Sequence, residues 1–350
     1  MDTSKVMKAM GLTRRDFMQA TSAIGAAFGI GATGVTNFAS KAEAKETAAG
    51  GLPVLWLQAQ ACTGCSVSLL NSIYYATITD LVVNTLDINY HSNLSAAAGN
   101  LAVSTVEKTY RQGGYALVVE GAIPTGANGE YCTLWPGMTA LKGVRRYAER
   151  ASVIIAAGTC AAYGGLSAAK PNLTGATGLS QVLGSGYTVV NIPGCPMHPD
   201  WLVGTVAYIL ANGSLPPLDS VGRPTAFYGK TLHEQCPNLA EYTAKYGRQS
   251  HARGQSCLDC HTRTDSDVPQ PRALGVAGCL FALGCNGARS HCDCAVRKWN
   301  GSAAGTPGVN WCVEAGAPCY GCTEPTFPDG MSPFYTLNGP GADDDEEDDD

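Results

Sequence analysis

The chain predicts a parallel α/β domain followed by a loop-rich domain held together by cysteine chemistry. Three observations carry this. Four continuous apolar runs, "PVLWLQAQ" (53–60), "YALVVEG" (115–121), "SVIIAAG" (152–158) and "YTVVNIPG" (187–194), read as strands buried on both faces. Helical patterns such as "SVSLLNSIYYATI" and "DWLVGTVAYILA" lie between or after them, the alternation that builds a parallel sheet covered on both sides. From about residue 223, near "SVGRPTAFYG", the strand signals fade and Gly, Pro, Cys and charged residues dominate. That second region has too few periodic apolar segments for a large core, so it needs staples.

Before the first strand stands "LTRRDFMQATSAIGAAFGIGATGVTNFASKAEA". Arg14 and Arg15 precede a Gly-broken apolar run, and Ala42 and Ala44 form a small-residue cleavage pattern. Residues 1–44 therefore read as a signal peptide of the twin-arginine type, which predicts export of an already folded chain to the periplasm. That route suits a protein that takes up its cofactor before export. At the other end, residues 343–350 are eight acidic residues in a row, while the whole chain carries only −6. The body is thus close to neutral, and no basic patch argues for nucleic acid or anionic lipid. Residues 342–350 read as a disordered acidic tail. No apolar run after the signal is long enough to span a bilayer, so the mature chain is expected to lack its own anchor. The two domains are expected over 45–222 and 223–341.

The 15 cysteines are the chemistry of the chain. In the first domain each candidate ligand follows a strand: Cys62 and Cys65 in "CTGC", Cys160 in "GTCAAYGG" and Cys195 in "PGCPMHPD". Loops after the carboxyl ends of parallel strands converge on one edge, so thiols far apart in sequence can meet there. Four thiolates suit a cubane iron–sulfur cluster or zinc. Zinc sites usually use two close pairs, and here there is one pair with two distant singles. In the second domain, "HEQC" offers His233 and Cys236, and "CLFALGC" offers Cys279 and Cys285. Three thiolates and one imidazole can hold a 4Fe–4S cluster. Cys294, Cys312, Cys319 and Cys322 make a further four-thiolate set, with Gly316 and Gly321 allowing tight turns around sulfur. A disulfide-rich secreted binding protein is the competing reading. It predicts a colourless protein, where clusters predict a brown one.

The pieces "RRDF", "CTGCSVSLLN", "VEGAIPT", "GTCAAYGG", "NIPGCPMHPDW", "FYGKTLHEQCP", "CLFALGCNG" and "CYGCTEPTFPDG" occur in this order over nearly the whole mature chain. The ordered set resembles the small subunit of nickel–iron hydrogenases. "EYCTLW", "DCAVRKWN" and "NWCVEAGAPCYGC" resemble the nickel–iron–selenium branch. The resemblance implies a flavodoxin-like first domain, an iron–sulfur second domain and a large-subunit partner that carries the nickel–iron centre. It implies three 4Fe–4S clusters: proximal on Cys62, Cys65, Cys160 and Cys195; distal on His233, Cys236, Cys279 and Cys285; medial on Cys294, Cys312, Cys319 and Cys322. The activity implied is H2 ⇌ 2H+ + 2e−, with H2 activated in the partner and electrons passed to a cytochrome or a membrane quinone-linked acceptor. A related iron–sulfur subunit of a quinone-linked oxidoreductase is the alternative within the same chemistry. It is expected to keep the proximal motifs without the full second-domain set.

Two departures from the family pattern carry expectations. Oxygen-tolerant members have additional cysteines where this chain has Gly64 and Gly165, so the proximal cluster is expected to be an ordinary cubane. Many members have proline where this chain has Cys312, so the medial cluster is expected to keep its fourth iron. "CLDCH" (257–261) matches the haem-attachment pattern through Cys257, Cys260 and His261. Covalent haem is not expected there, because its attachment acts on unfolded chain outside the membrane, while the twin-arginine route delivers folded protein. Cys132 and Cys292 are expected to be structural or free.

Overall fold

The computed structural model describes residues 52–73, 78–80, 86–246, 275, 278–300, 308–332 and 334. The signal segment, the acidic tail and the "CLDCH" stretch lie outside the described residues. Two compact units are present, the first described through Phe227 and the second from Tyr228.

The first unit is built on five strands: β1 (Leu52–Gln58), β2 (Leu86–His91), β3 (Tyr115–Glu120), β4 (Ala151–Ala157) and β5 (Val189–Ile192). They pair in the order β2-β1-β3-β4-β5, every pair parallel. This is the flavodoxin-like winding, with its switch point between β1 and β3. Strand β3 is buried at all six positions and β5 at all four, as expected of strands covered on both faces. Side chains alternate between the faces. Leu55 and Leu57, Leu117 and Val119, and Ile154 and Ala156 join Val106, Val144 and Tyr147 in one apolar cluster. Strand β2 had no counterpart among the four apolar runs. It pairs only with β1, at the sheet edge, and only His91 of its six residues is buried, so it lacks a continuous apolar run.

Helices end where the chain chemistry ends them. In α1 (Gly64–Leu70) the first turn begins inside "CTGC" itself. Helix α2 (Gly99–Gln112) stops at Gly113. Thr139 caps α3 (Ala140–Ala148), its side chain accepting from the Lys142 N–H at 3.1 Å. Arg145 and Arg146 occupy the last turn of α3, where the helix dipole favours cations. Helix α4 (Thr159–Tyr163) starts directly after β4 and contains Cys160. "HPD" starts α5 (Pro199–Asn212): His198 caps it, Pro199 fills the first turn, and Gly213 closes it in the left-handed conformation.

The second unit has little regular structure. Its described residues hold helix α6 (Leu239–Tyr246), a short helix α7 (Cys294–Arg297) and single turns of 3₁₀ helix. Tyr242 and Phe281 form one buried apolar cluster, with Leu239 and Cys279 against them, and Leu232, Leu280, Trp311, Val313, Phe327 and Met331 are also buried in the unit. Among the described residues no helix is long and apolar enough to cross a membrane.

Candidate metallocluster sites

The carboxyl ends of β1, β4 and β5 bring the first four thiols together. Cys62 and Cys65 follow β1, Cys160 opens α4 after β4, and Cys195 follows β5. Burial raises the Cys65, Cys160 and Cys195 thiols, and neighbouring thiols raise them further. Cys65 feels Cys160 and Cys195, Cys160 feels Cys62, and Cys195, pushed up to about 11, feels Cys160 and Cys62. Four crowded thiolates repel one another and cannot all ionise unaided. A cationic iron core removes that repulsion and displaces the protons. Backbone N–H groups already point at sulfur: Gly64 donates to Cys62 Sγ at 3.4 Å, and Met197, Leu166 and Ser167 serve Cys65 and Cys160. These donors favour thiolate, so the residue set fits an iron–sulfur cluster.

Close approach dictates the glycine at Gly158. A Cβ there would lie 2.4 Å from Cys65 Sγ, and its φ of +86° is left-handed territory. Thr63, inside "CTGC", also has a positive φ of 65°, an unusual conformation for a β-branched residue.

The group that holds this loop is Glu120, the last residue of β3 and only 2% exposed. One carboxylate oxygen accepts from the Cys65 N–H at 3.0 Å and the Ser66 N–H at 3.2 Å. The other accepts from Trp56 Nε1 at 3.1 Å, Gln58 Nε2 at 3.2 Å and the Ser66 hydroxyl. His91 Nε2 meets the same hydroxyl at 3.1 Å. Sequence reasoning gave Glu120, Ser66 and His91 no role. The available signal was that Glu120 is the only charged residue in "YALVVEG".

In the second unit, Thr231 and Glu234 form a reciprocal cap. The Glu234 carboxylate accepts from the Thr231 N–H at 2.7 Å, and the Glu234 N–H donates to Thr231 Oγ1 at 3.2 Å. The turn between them presents His233, and Cys236 follows it, its N–H donating to the His233 carbonyl at 3.1 Å. Cys279 is brought to the same place by its N–H, which donates to Glu241 of α6 at 2.9 Å, and by Asn238 Nδ2, which donates to the Gly278 carbonyl at 2.8 Å. His233, Cys236, Cys279 and Cys285 all line one cavity, walled by Tyr242 and Phe281. His233 stacks edge-on against Tyr242, with ring centroids 4.4 Å apart. Burial is the main reason Cys285 is pushed up to about 11, and Cys279 and Cys236 add to it. All four predicted distal residues are therefore together, and their donors fit a cluster.

Of the third set, Cys294, Cys319 and Cys322 are mutually close: Cys294 feels both others, and Cys319 feels Cys322. Gly321 N–H donates to Cys319 Sγ at 3.4 Å. Cys312 is exposed, and its thiol neighbour is Cys292, a buried cysteine outside the predicted set. The second and third sets adjoin, because the Cys319 N–H donates to Cys285 Sγ at 3.4 Å. Among the described residues no three Cys, His, Asp or Glu side chains converge on a single-ion site. Cys132 sits in a half-buried turn, its N–H donating to the Gly129 carbonyl at 3.2 Å.

Fold and thiols together define a flavodoxin-like protein with a cysteine site at the carboxyl edge of its sheet and a second, cysteine-rich unit. Comparisons with known proteins narrow the class. Residues 62–209 match the family described as NADH ubiquinone oxidoreductase, 20 Kd subunit. Residues 228–335 match the family described as the C-terminal part of the NiFe/NiFeSe hydrogenase small subunit. The periplasmic [NiFeSe] hydrogenase small subunit of Desulfomicrobium baculatum is 36% identical over 93% of this chain and 99% of its own length. The periplasmic [NiFe] hydrogenase small subunit of Solidesulfovibrio fructosivorans is 36% identical, covering 95% of this chain and 96% of its own length. Among solved structures, the [NiFeSe] hydrogenase of Desulfovibrio vulgaris Hildenborough aligns with a TM-score of 0.67 at 39% identity, over 81% of this chain and 97% of that one. The chain belongs to the nickel–iron and nickel–iron–selenium hydrogenase small-subunit family. It is the electron-transfer subunit of a hydrogenase, an oxidoreductase, and the family implies iron–sulfur clusters. The quinone-linked alternative shares the first-unit family, but it does not account for the match over the second unit.

Proposed function

We propose that the chain serves a periplasmic hydrogenase, reached by the twin-arginine route, and holds three 4Fe–4S clusters. Cys62, Cys65, Cys160 and Cys195 hold the proximal one. His233, Cys236, Cys279 and Cys285 hold the distal one, and Cys294, Cys312, Cys319 and Cys322 the medial one. When bound, such clusters accept and release single electrons, with potentials set by ligand charge, burial and hydrogen bonds to sulfur. The observation that carries the reading is the convergence of four thiols from three separate strand ends on one edge of the sheet.

The chain's own residues do three things in this reading. The strand-end loops and Glu120 fix the proximal sulfurs. The N–H groups of Gly64, Gly287 and Gly321 turn toward sulfur and stabilise its negative charge. Apolar side chains near the first thiols stay uncovered: Val67 is 53% exposed, Leu70 42% and Leu166 55%. Val67 and Leu70 follow "CTGC" on α1, and Leu166 follows Cys160. Such side chains beside a redox site suit a large-subunit partner carrying the nickel–iron centre, since covering them also excludes water. The distal site, with its imidazole, serves the exit toward a cytochrome or quinone-linked acceptor.

The test is Cys65→Ala in the heterodimer. The expected result is loss of the proximal cluster's spectroscopic signal and of H2-dependent dye reduction. Full dye reduction by that variant refutes the ligand assignment.

A further inference from the structure

His91 closes the Glu120 network from its far side. It is the last residue of β2, stands opposite Trp56 in the β1–β2 register, and is fully buried. Its ring lies against the Trp56 indole, with centroids 5.1 Å apart, and that indole itself donates to Glu120. Its backbone is tied twice to Ser95: the His91 N–H donates to Ser95 Oγ at 2.8 Å, and the Ser95 N–H donates to the His91 carbonyl at 3.1 Å. The Asn93 N–H donates to His91 Nδ1 at 3.1 Å. A backbone N–H is a donor only, so Nδ1 accepts and the ring carries its proton on Nε2. Nε2–H therefore donates to Ser66 Oγ at 3.1 Å, and Gln58 Nε2 donates to the same oxygen at 3.0 Å. With both lone pairs of Ser66 Oγ engaged, its own proton is directed to Glu120. An imidazole that already bears its Nε2 proton cannot take the serine's, so the pair is no nucleophile with its base.

We propose that His91 is a positioning residue of the proximal site: held as the Nε2–H tautomer by the Asn93 amide, it points the Ser66 hydroxyl at Glu120 and so completes the donor set around the carboxylate that holds Cys65. The inference rests on the reading that Cys62, Cys65, Cys160 and Cys195 hold a cluster. The other tautomer works against the site. Its Nε2 lone pair draws the Ser66 proton to itself, and the hydroxyl turns a lone pair toward the carboxylate. Glu120 then loses one of its five donors, and less of its negative charge is balanced. Unbalanced negative charge one hydrogen bond from a ligand residue disfavours an added electron and lowers the potential of the cluster. The edge strand β2, through one buried ring, thereby sets the charge environment at the end of β3.

The experiment is an EPR-monitored redox titration of the intact heterodimer, with iron counted per molecule, for wild type, His91→Leu, His91→Gln, Ser66→Ala and the Ser66→Ala/His91→Leu double variant. Leucine fills much of the imidazole's space without a donor, while the glutamine amide nitrogen keeps a donor for Ser66. The expected result is full iron throughout, a lowered proximal midpoint potential in His91→Leu with the other two clusters unmoved, and recovery of most of that shift in His91→Gln. Because His91 acts through Ser66, the leucine exchange should add no further shift in the Ser66→Ala background. A His91→Leu proximal potential equal to wild type at full iron overturns the proposal. So does an equal shift in His91→Gln, or a leucine shift that persists undiminished without the Ser66 hydroxyl, because the imidazole then only fills space. Should His91→Leu fail to assemble, His91→Gln decides: a wild-type potential at full iron supports the donor role, and a shifted potential or lost iron refutes it. A wild-type protein with no proximal signal overturns the cluster reading and this proposal with it, and that failure is seen before any substitution is made.

Discussion

Glu120→Gln is the substitution that reads out how the proximal loop is held. Glu120 collects five hydrogen bonds from donors only, two on one oxygen and three on the other. Glutamine has the same shape but one acceptor oxygen. With that oxygen toward the Cys65 and Ser66 N–H groups, the new NH2 faces the Trp56 indole N–H and the Gln58 amide, donor against donor. With the amide turned round, the two backbone N–H groups are confronted instead. Either way, two bonds to a charged acceptor are lost in a buried setting, at ~1.5–3 kcal/mol each, so the cost is about 3–6 kcal/mol. At ~2–4 °C per kcal/mol for a domain of this size, the melting temperature should fall by roughly 6–24 °C. Thr63 adds to the consequence, because its left-handed φ of 65° persists only while the loop is tied down. The assay is anaerobic thermal unfolding of the heterodimer, with iron content and the proximal EPR signal measured on the same sample. Trp56→Phe is the control: it removes one donor and leaves the carboxylate four others, so the lost bond should cost about 1.5–3 kcal/mol, half of the Glu120→Gln effect. A Glu120→Gln protein that melts with wild type and keeps full proximal iron refutes the argument that this carboxylate anchors the loop.

Cys312→Pro should convert the medial site to a 3Fe–4S cluster with its paramagnetic oxidised signal and a higher potential; a stoichiometric 3Fe–4S signal from undamaged wild type shows instead that Cys312 is not a ligand. Gly165→Ala places a Cβ 2.9 Å from both N and Sγ of Cys160 at a φ of +51°, so beyond the ~1–2 kcal/mol conformational cost it should displace Cys160 and lower proximal iron content; wild-type iron and melting temperature in that variant count against the close approach. Burial and neighbouring thiols push Cys195 and Cys285 up to about 11, so the folded metal-free chain keeps protons that its unfolded thiols release from their ordinary value of 9.0 upward. Their contribution to stability is present below pH ~9 and fades as pH rises through the folded value. Denaturant titrations of the metal-free chain at about pH 8 and pH 10 should therefore show a loss that the cluster-loaded protein lacks, and equal loss in both refutes the linkage.

Much of the architecture was legible because burial on both faces leaves a plain mark. Strands β1, β3, β4 and β5 are runs of Val, Ile, Leu and Ala, and each was readable within a few residues of its ends. The edge strand β2, "LDINYH", left no such mark. Cys62, Cys65, Cys160 and Cys195 were legible for a topological reason: every one follows a strand whose carboxyl end had to open on the same edge. The second unit offered spacing without periodicity, so its ligand sets rested on motif order alone. Its Thr231–Glu234 cap, by contrast, is visible in "TLHE".

The sequence by itself determined the fold class, the strand-end thiols and the family, because these depend on local pattern and order along the chain. Only the tertiary structure decided that Glu120, 55 residues from Cys65, accepts its N–H. Only the tertiary structure set the second and third sulfur sets side by side through the Cys319 N–H and Cys285 Sγ, and buried Cys292 while leaving Cys312 exposed. Hydrogen bonds and sulfur neighbours are made across space at ranges of a few ångströms. A periodic pattern reports which face of an element is buried, and carries no information about which distant residue meets it there.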